Sequence, residues 1–162
     1  MKAIQFKNGR SELMEKPIPE ISGEEALVKV VMTGICKTDM ELLEGYYGFE
    51  GIAGHEFVGV VEKSPSNPEI IGKRVVGEIN IGCGTCLWCL NGNQRHCPTR
   101  KVLGIVGWDG AFAEYLKIPA GNLKIIPDSL SSENAVFTEP LAAALEPTQQ
   151  IHISNDKKVL IL

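Results

Sequence analysis

The chain has 162 residues, 44% hydrophobic and 22% charged, enough apolar material for one domain with a sizeable core and too much for a disordered chain. Sixteen Lys and Arg against 20 Asp and Glu leave a formal charge of −4, a balance that disfavours nucleic acid and the membrane surface as partners. No apolar run approaches the eighteen or so residues of a membrane helix, and residues 1–7 alternate polar and apolar where a secretory signal would be continuously apolar, so a cytoplasmic protein is expected.

Taken in chain order, short runs bounded by Gly, Pro or Asn predict strands over 2–6, 26–32, 57–63, 73–76, 111–117 and 123–126. Such a series predicts a mainly β architecture with short helices, a small bent β-barrel. Residues 36–44 contain neither Gly nor Pro and are apolar at Met40 and Leu43, which predicts a short helix with Cys36, Thr38 and Asp39 in its first turn. After Pro127 the texture changes: Ser131 can cap a short helix with Glu133 in its first turn, and 139–150 has the Ala and Leu content of another, which Pro147 should kink or break. The last stretch, 157–162, is a lysine-flanked apolar run of the kind that begins a parallel sheet covered on both faces. With nothing after it to pair with, it reads as a cut inside the first strand of a second domain, which divides the chain into 1–155 and 156–162. No internal repeat is found.

Four of the five cysteines, Cys83, Cys86, Cys89 and Cys97, fall within fifteen residues as C-x2-C-x2-C-x7-C, while Cys36 stands alone upstream. The spacings are too tight for two relaxed disulfides, whose Cα separations and Cβ directions are restricted. Four thiolates around a tetrahedral Zn²⁺ fit, and Gly82, Gly84, Asn91 and Gly92 give the loop a permissive backbone. An iron–sulfur cluster and a redox Cys-x-x-Cys pair are the competing chemistries. With four sulfurs in four positions there is no vacancy for substrate, so this lobe, 82–101, should hold structure and do no chemistry. Arg95, Arg100 and Lys101, with no Asp or Glu between 82 and 103, either offset the charge of the cluster or are simply solvated. His96 reads as a packing residue beside a completed shell.

Cys36 and His55 are the remaining soft or borderline ligands of the barrel half, and each has polar company: Asp39 one helical turn from Cys36, and glycines around His55 in Gly51-Ile52-Ala53-Gly54-His55-Glu56. A catalytic zinc needs three protein ligands and an open position, and Glu139, at the mouth of the Ala-rich helix, is the third candidate. Each of the three taken alone is equally readable as an ordinary buried or exposed residue.

Gly34-Ile35-Cys36-Lys37-Thr38-Asp39, Gly54-His55-Glu56-Phe57-Val58-Gly59, the four-cysteine lobe, Gly110-Ala111-Phe112-Ala113-Glu114-Tyr115 and Glu139-Pro140-Leu141-Ala142 stand in this order along the chain. The set resembles the zinc-containing medium-chain alcohol/polyol dehydrogenases in their GroES-like catalytic domain. The resemblance implies an enzyme interconverting an alcohol and a carbonyl compound by hydride transfer to NAD or NADP, with two zinc ions per chain and a Rossmann domain starting near 156. By position it makes Cys36, His55 and Glu139 ligands of a catalytic zinc, with Glu56 a carboxylate able to exchange with a ligand. Asp39 becomes the acceptor that orients the histidine, and Thr38 the hydroxyl that takes the alcohol's proton. It implies a small-molecule alcohol or carbonyl substrate and a homo-oligomer in the longer parent. No cofactor-binding residue falls within these 162, so the isolated chain is expected to be inactive. One departure is Glu41, where many relatives place a relay histidine five residues beyond the cysteine ligand. A glutamate as third ligand resembles the polyol, sugar and threonine dehydrogenase branches and points to a polar secondary alcohol. The alternative, a zinc-ribbon interaction module without catalysis, explains the four cysteines and leaves Cys36, His55 and Glu139 without a purpose.

Overall fold

The computed structural model describes residues 1–152, 154 and 158–160. The chain opens with β1 (Lys2–Lys7) and β2 (Arg10–Glu15), a hairpin closed by the tight turn Asn8-Gly9. No strand was expected at β2. Its sequence RSELME is exposed at every position, so no apolar alternation marks it, and the Asn-Gly turn is its only sequence signal. Then come β3 (Glu25–Thr33), α1 (Lys37–Leu43), β4 (Gly51–Ile52), β5 (Phe57–Lys63) and β6 (Arg74–Gly77). They are followed by β7 (Asn80–Ile81), α2 (Leu87–Leu90), β8 (Lys101–Leu103), β9 (Gly107–Trp108), β10 (Tyr115–Pro119) and β11 (Leu123–Ile125). Two helices, α3 (Ser132–Ala135) and α4 (Thr138–Gln150), follow the strands.

The strands make three sheets, ordered β2-β1-β4, β10-β3-β5-β6-β11 and β7-β8-β9. The five-stranded sheet is antiparallel throughout and builds the core. Alternation in β10 turns Leu116 and Ile118 inward against Val28, Phe57, Val61, Val75 and Leu103. Burial of each such side chain contributes about 1.5–3 kcal/mol. The opposite face buries Val58 and Val76 under Ala135 and Val136, so the β5 sequence FVGVVEK is apolar on both sides because both sides are covered. The β3–β5 register slips between Leu27 and Val28 and again between Val30 and Met32. Bulges of this kind bend a strand, and the second one lies just ahead of the turn that carries Cys36.

Two expectations need correction. The strand expected over 111–117 runs instead from Tyr115 to Pro119, because its first residues cross to another sheet: Ile4 N donates to Phe112 O (2.8 Å) and Glu114 N to Lys2 O (3.0 Å). Pro147 does not break α4, which continues to Gln150. The ring removes a donor only three residues from the helix end, where the freed carbonyl of exposed Ala143 is open to water. Ser131 caps α3 as expected, its Oγ accepting from Asn134 N at 3.4 Å. Half of the strand expected over 157–162 lies outside the described residues, and Lys158, Val159 and Leu160 belong to no element.

Candidate metal centres

The helix expected over 36–44 is α1, with Cys36 at its N-cap in extended backbone (φ −93°, ψ 158°). Asp39, 1% exposed, reaches back to accept Cys36 N through Oδ2 (2.8 Å) and, through Oδ1, accepts Gly54 N (3.2 Å). One buried carboxylate thereby ties the start of α1 to the segment before His55. The same Oδ1 lies 3.4 Å from His55 Nδ1, an ion-pair distance without hydrogen-bond alignment, and Nδ1 is buried with no other partner. With Nδ1 turned to Asp39, Nε2 is the ring nitrogen left for a ligand. Burial by itself would lower the His55 pKa, but the Asp39 carboxylate more than reverses this. Cys36 and Glu139 add to the effect, and the metal-free ring is pushed up to about 9.

Glu56 is held at its carbonyl by Gly34 N (2.9 Å) and the Thr33 hydroxyl (2.8 Å), so the end of β3 docks on the start of β5. A Cβ at Gly34 would run into the Glu56 carboxylate and push it aside, so the glycine leaves that carboxylate its present place. One ligand atom each from Cys36, His55 and Glu56 lie within 4.8 Å of one another. Thr38 Oγ1 is 3.8 Å from Cys36 Sγ. Glu139, in the first turn of α4, stands outside this group of three but within electrostatic reach of it. Burial raises the Glu139 pKa first, the charges of Glu56, Glu78 and Asp39 raise it further, and His55 opposes them. Glu139 also borders a cleft of about 480 Å³ between β6, the four-cysteine lobe and α4.

This donor set fits a divalent cation. Glu56 is buried, Glu139 is half-buried, and among the described residues no lysine or arginine pairs with either. Asp39, Glu56 and Glu139 set three carboxylates around one imidazole, so even a protonated His55 leaves this partly buried group short of positive charge, which a divalent cation would supply.

The second group is the lobe between β7 and β8. Sulfurs of Cys83, Cys86, Cys89 and Cys97 lie within 4.8 Å of one another and none is disulfide-bonded. Cys86 N donates to Cys83 Sγ and Cys83 N to Cys97 Sγ, both at 3.4 Å, so the loop backbone supports thiolates. The four thiols do not ionise alike. Hydrogen bonds from the Thr85 hydroxyl and nearby amides bring Cys83 down to about 5, whereas burial and then its sulfur neighbours push Cys89 up to about 11. A cation among them would let all four ionise, which is the chemistry of a closed four-thiolate zinc site. His96 is not one of the four: it is exposed, with its ring 5.2 Å from Trp88. Of the basic residues, Arg95 pairs with Glu146 of α4 (3.6 Å) and Lys101 lies over the Trp108 ring.

Thr33 and Asp109 also shape the first site and were not singled out from the sequence. Asp109 Oδ1 accepts Ile52 N at 2.9 Å across 57 positions, a contact that no local motif announces.

The sequence profile of the alcohol dehydrogenase GroES-like domain family matches residues 22–128. The chain is 38% identical over 161 residues to D-altritol 5-dehydrogenase of Agrobacterium fabrum, covering 96% of this chain and 47% of that protein. Against sorbitol dehydrogenase of Bacillus subtilis it is 32% identical over 171 residues, covering 100% and 48% respectively. Among solved structures, Haloferax mediterranei glucose dehydrogenase in complex with NADP, Zn and gluconolactone aligns with a TM-score of 0.78 at 32% identity, over 93% of this chain and 46% of that one. The chain thus spans about half the length of the curated relatives it matches. With a profile covering most of its length and relatives aligned over 96% and 100% of it, the chain belongs to the zinc-containing medium-chain alcohol and polyol dehydrogenase family, whose GroES-like domain it carries.

Proposed function

We propose that this domain holds the alcohol-activating centre of a nicotinamide-linked dehydrogenase acting on a polyol, sugar or other secondary alcohol, and that it binds two zinc ions. One ion is structural, on Cys83, Cys86, Cys89 and Cys97. The other is catalytic, on Cys36, His55 and Glu56, with Glu139 beside them able to enter the shell. The single observation that carries the reading is the convergence within 4.8 Å of Cys36, His55 and Glu56, which come from two separate segments, beside carboxylates that no lysine or arginine among the described residues pairs with. An interaction module built around the lobe alone gives that convergence no purpose.

When bound, zinc supplies a Lewis acid that polarises the alcohol or carbonyl oxygen. Asp39 fixes the His55 ring so that Nε2 faces the ligand group. The Thr38 hydroxyl, 3.8 Å from Cys36 Sγ, accepts the proton of the substrate hydroxyl and passes it outward. NAD or NADP, when bound, would supply the hydride acceptor for the carbinol carbon, so that alcohol and oxidised cofactor would become carbonyl compound, reduced cofactor and one proton. That transfer needs the two carbons held about 3–3.5 Å apart, and the cofactor is assigned to the half of the relatives that this chain does not span. Glu139, facing the cleft, is placed to meet polar groups of the substrate.

The test is to purify the protein from its source, strip it with a chelator and follow reduction of NAD and NADP with a panel of polyols and secondary alcohols. Activity should return with zinc, and His55→Ala should abolish it while keeping one zinc per chain. Undiminished turnover after His55→Ala would refute the assignment.

A further inference from the structure

The residue before His55 is enclosed by backbone from a distant part of the chain. Gly54, at φ +93°, packs on Phe112 so closely that a Cβ would come within 2.5 Å of the ring. On its other side lie Gly104 and Gly110. A Cβ at Gly104 would sit 2.8 Å from the Gly54 carbonyl carbon and 2.9 Å from its nitrogen, and one at Gly110 would sit 2.6 Å from Ala53 O; both would overlap Gly54 O. Hydrogen bonds lock the same contact. Gly110 N donates to Ile52 O (2.7 Å), Phe112 N to Ala53 O (2.9 Å) and Ala111 N to Gly54 O (2.8 Å). Gly104 directly follows Leu103, fully buried at the end of β8, whose N donates to Ile79 O (3.0 Å) at the stem of the four-cysteine lobe.

From this geometry we infer that Gly104 and Gly110 are positioning residues for the Cys36–His55–Glu56 centre, a backbone clamp that sets the height of the Gly54 peptide and with it the His55 and Glu56 side chains. The inference rests on the metal-binding reading proposed above. The three nearest atoms facing a new methyl group at either position are all backbone, so no rotamer change can relieve the contact and the Gly54 peptide must shift against the glycine segment. Metal ligands tolerate only about 0.5 Å of displacement before the site loses its geometry. Neither glycine offers a ligand, so both act only through the peptide before His55.

Gly107 supplies the control. It opens β9, three residues after Gly104, with nearly the same left-handed backbone (φ +61° against +66° at Gly104), yet a Cβ there would meet nothing nearer than Lys101 Cγ at 3.7 Å. Gly107→Ala therefore carries the strain of a positive φ without the collision. The experiment measures zinc per chain and zinc affinity by chelator competition, with the cobalt(II)-substituted absorption spectrum as a second readout of ligand geometry. Wild-type protein holding only one zinc would overturn the metal-binding reading itself, and the clamp's role with it, before any variant is compared. With two in the wild type, Gly104→Ala should bind the second zinc roughly 10–100-fold more weakly and keep the lobe zinc, whereas Gly107→Ala should match the wild type. Second-site affinity unchanged in Gly104→Ala, or equally weakened in Gly107→Ala, would overturn the clamp. Should Gly104→Ala fail to fold, hydrogen exchange of the wild type decides, because a clamp that favours metal binding must in turn be tightened by the metal. Loading the second zinc should slow exchange at the amides of Gly110, Ala111 and Phe112, and unchanged rates there would overturn it.

Discussion

Asp39→Asn changes one atom at the point where α1, the Gly54 peptide and His55 meet. The carboxylate accepts two backbone amides, Cys36 N at 2.8 Å and Gly54 N at 3.2 Å, from a position 1% exposed. An amide side chain keeps the shape but has one acceptor oxygen, so one of those two donors faces an NH₂ group and is left buried without a partner. Losing a hydrogen bond to a charged acceptor, with a stranded donor, costs about 2–4 kcal/mol. For a chain of this size each kcal/mol moves the melting temperature by about 2–4 °C, so a fall on the order of 10 °C is expected. Because Asp39 also orients a ligand ring, zinc affinity at the Cys36 site should drop roughly 10–100-fold. Calorimetry of the metal-free protein gives the first figure and chelator competition the second. A variant melting within about 1 °C of wild type, with unchanged zinc affinity, refutes the reasoning that this carboxylate joins the two ligand segments.

The raised His55 pKa has a defined sign. In the metal-free protein a folded-state value near 9 against an ordinary 6.5 means that the stabilisation is complete below pH 6.5 and lost as pH rises through 9. Urea midpoints at both ends of that window should show the loss, and Asp39→Asn should flatten it; an equal loss in wild type and variant would remove His55 as the source. In the lobe, Cys89→Ser leaves three thiolates and should weaken zinc retention by more than the roughly 10–100-fold of an indirect change, read as metal content after chelator dialysis, with wild-type retention counting against a four-sulfur site. Leu103→Ala, at a position 0% exposed under the five-stranded sheet, should cost about 2–5 kcal/mol in urea denaturation, and a loss under about 1 kcal/mol would mean that the core does not close there.

What could be read in advance depended on how local the cause was. β5 is found over the expected residues, 57–63, because its apolar run is self-contained, and the four cysteines meet because they share one short loop. β2 escaped because every side chain in it faces water, and α4 runs through Pro147 because a missing donor near an exposed helix end is readily compensated. At the first site the sequence offered Cys36, His55, Glu56 and Glu139 as separate residues. That the first three share one point while Glu139 stands at the edge is decided by tertiary contacts, chiefly Asp39 bridging to Gly54 and Gly34 yielding space to Glu56. Asp109 and the enclosing glycines act over fifty positions or more, beyond the reach of any local pattern.

The most direct test is anomalous diffraction at the zinc edge from crystals of the zinc-loaded protein. The account predicts two peaks in each chain, one among Cys83, Cys86, Cys89 and Cys97 and one between Cys36, His55 and Glu56, with the His55 ring still turned toward Asp39. A single peak in the lobe, with Cys36 and His55 facing separate apolar surroundings, would contradict it.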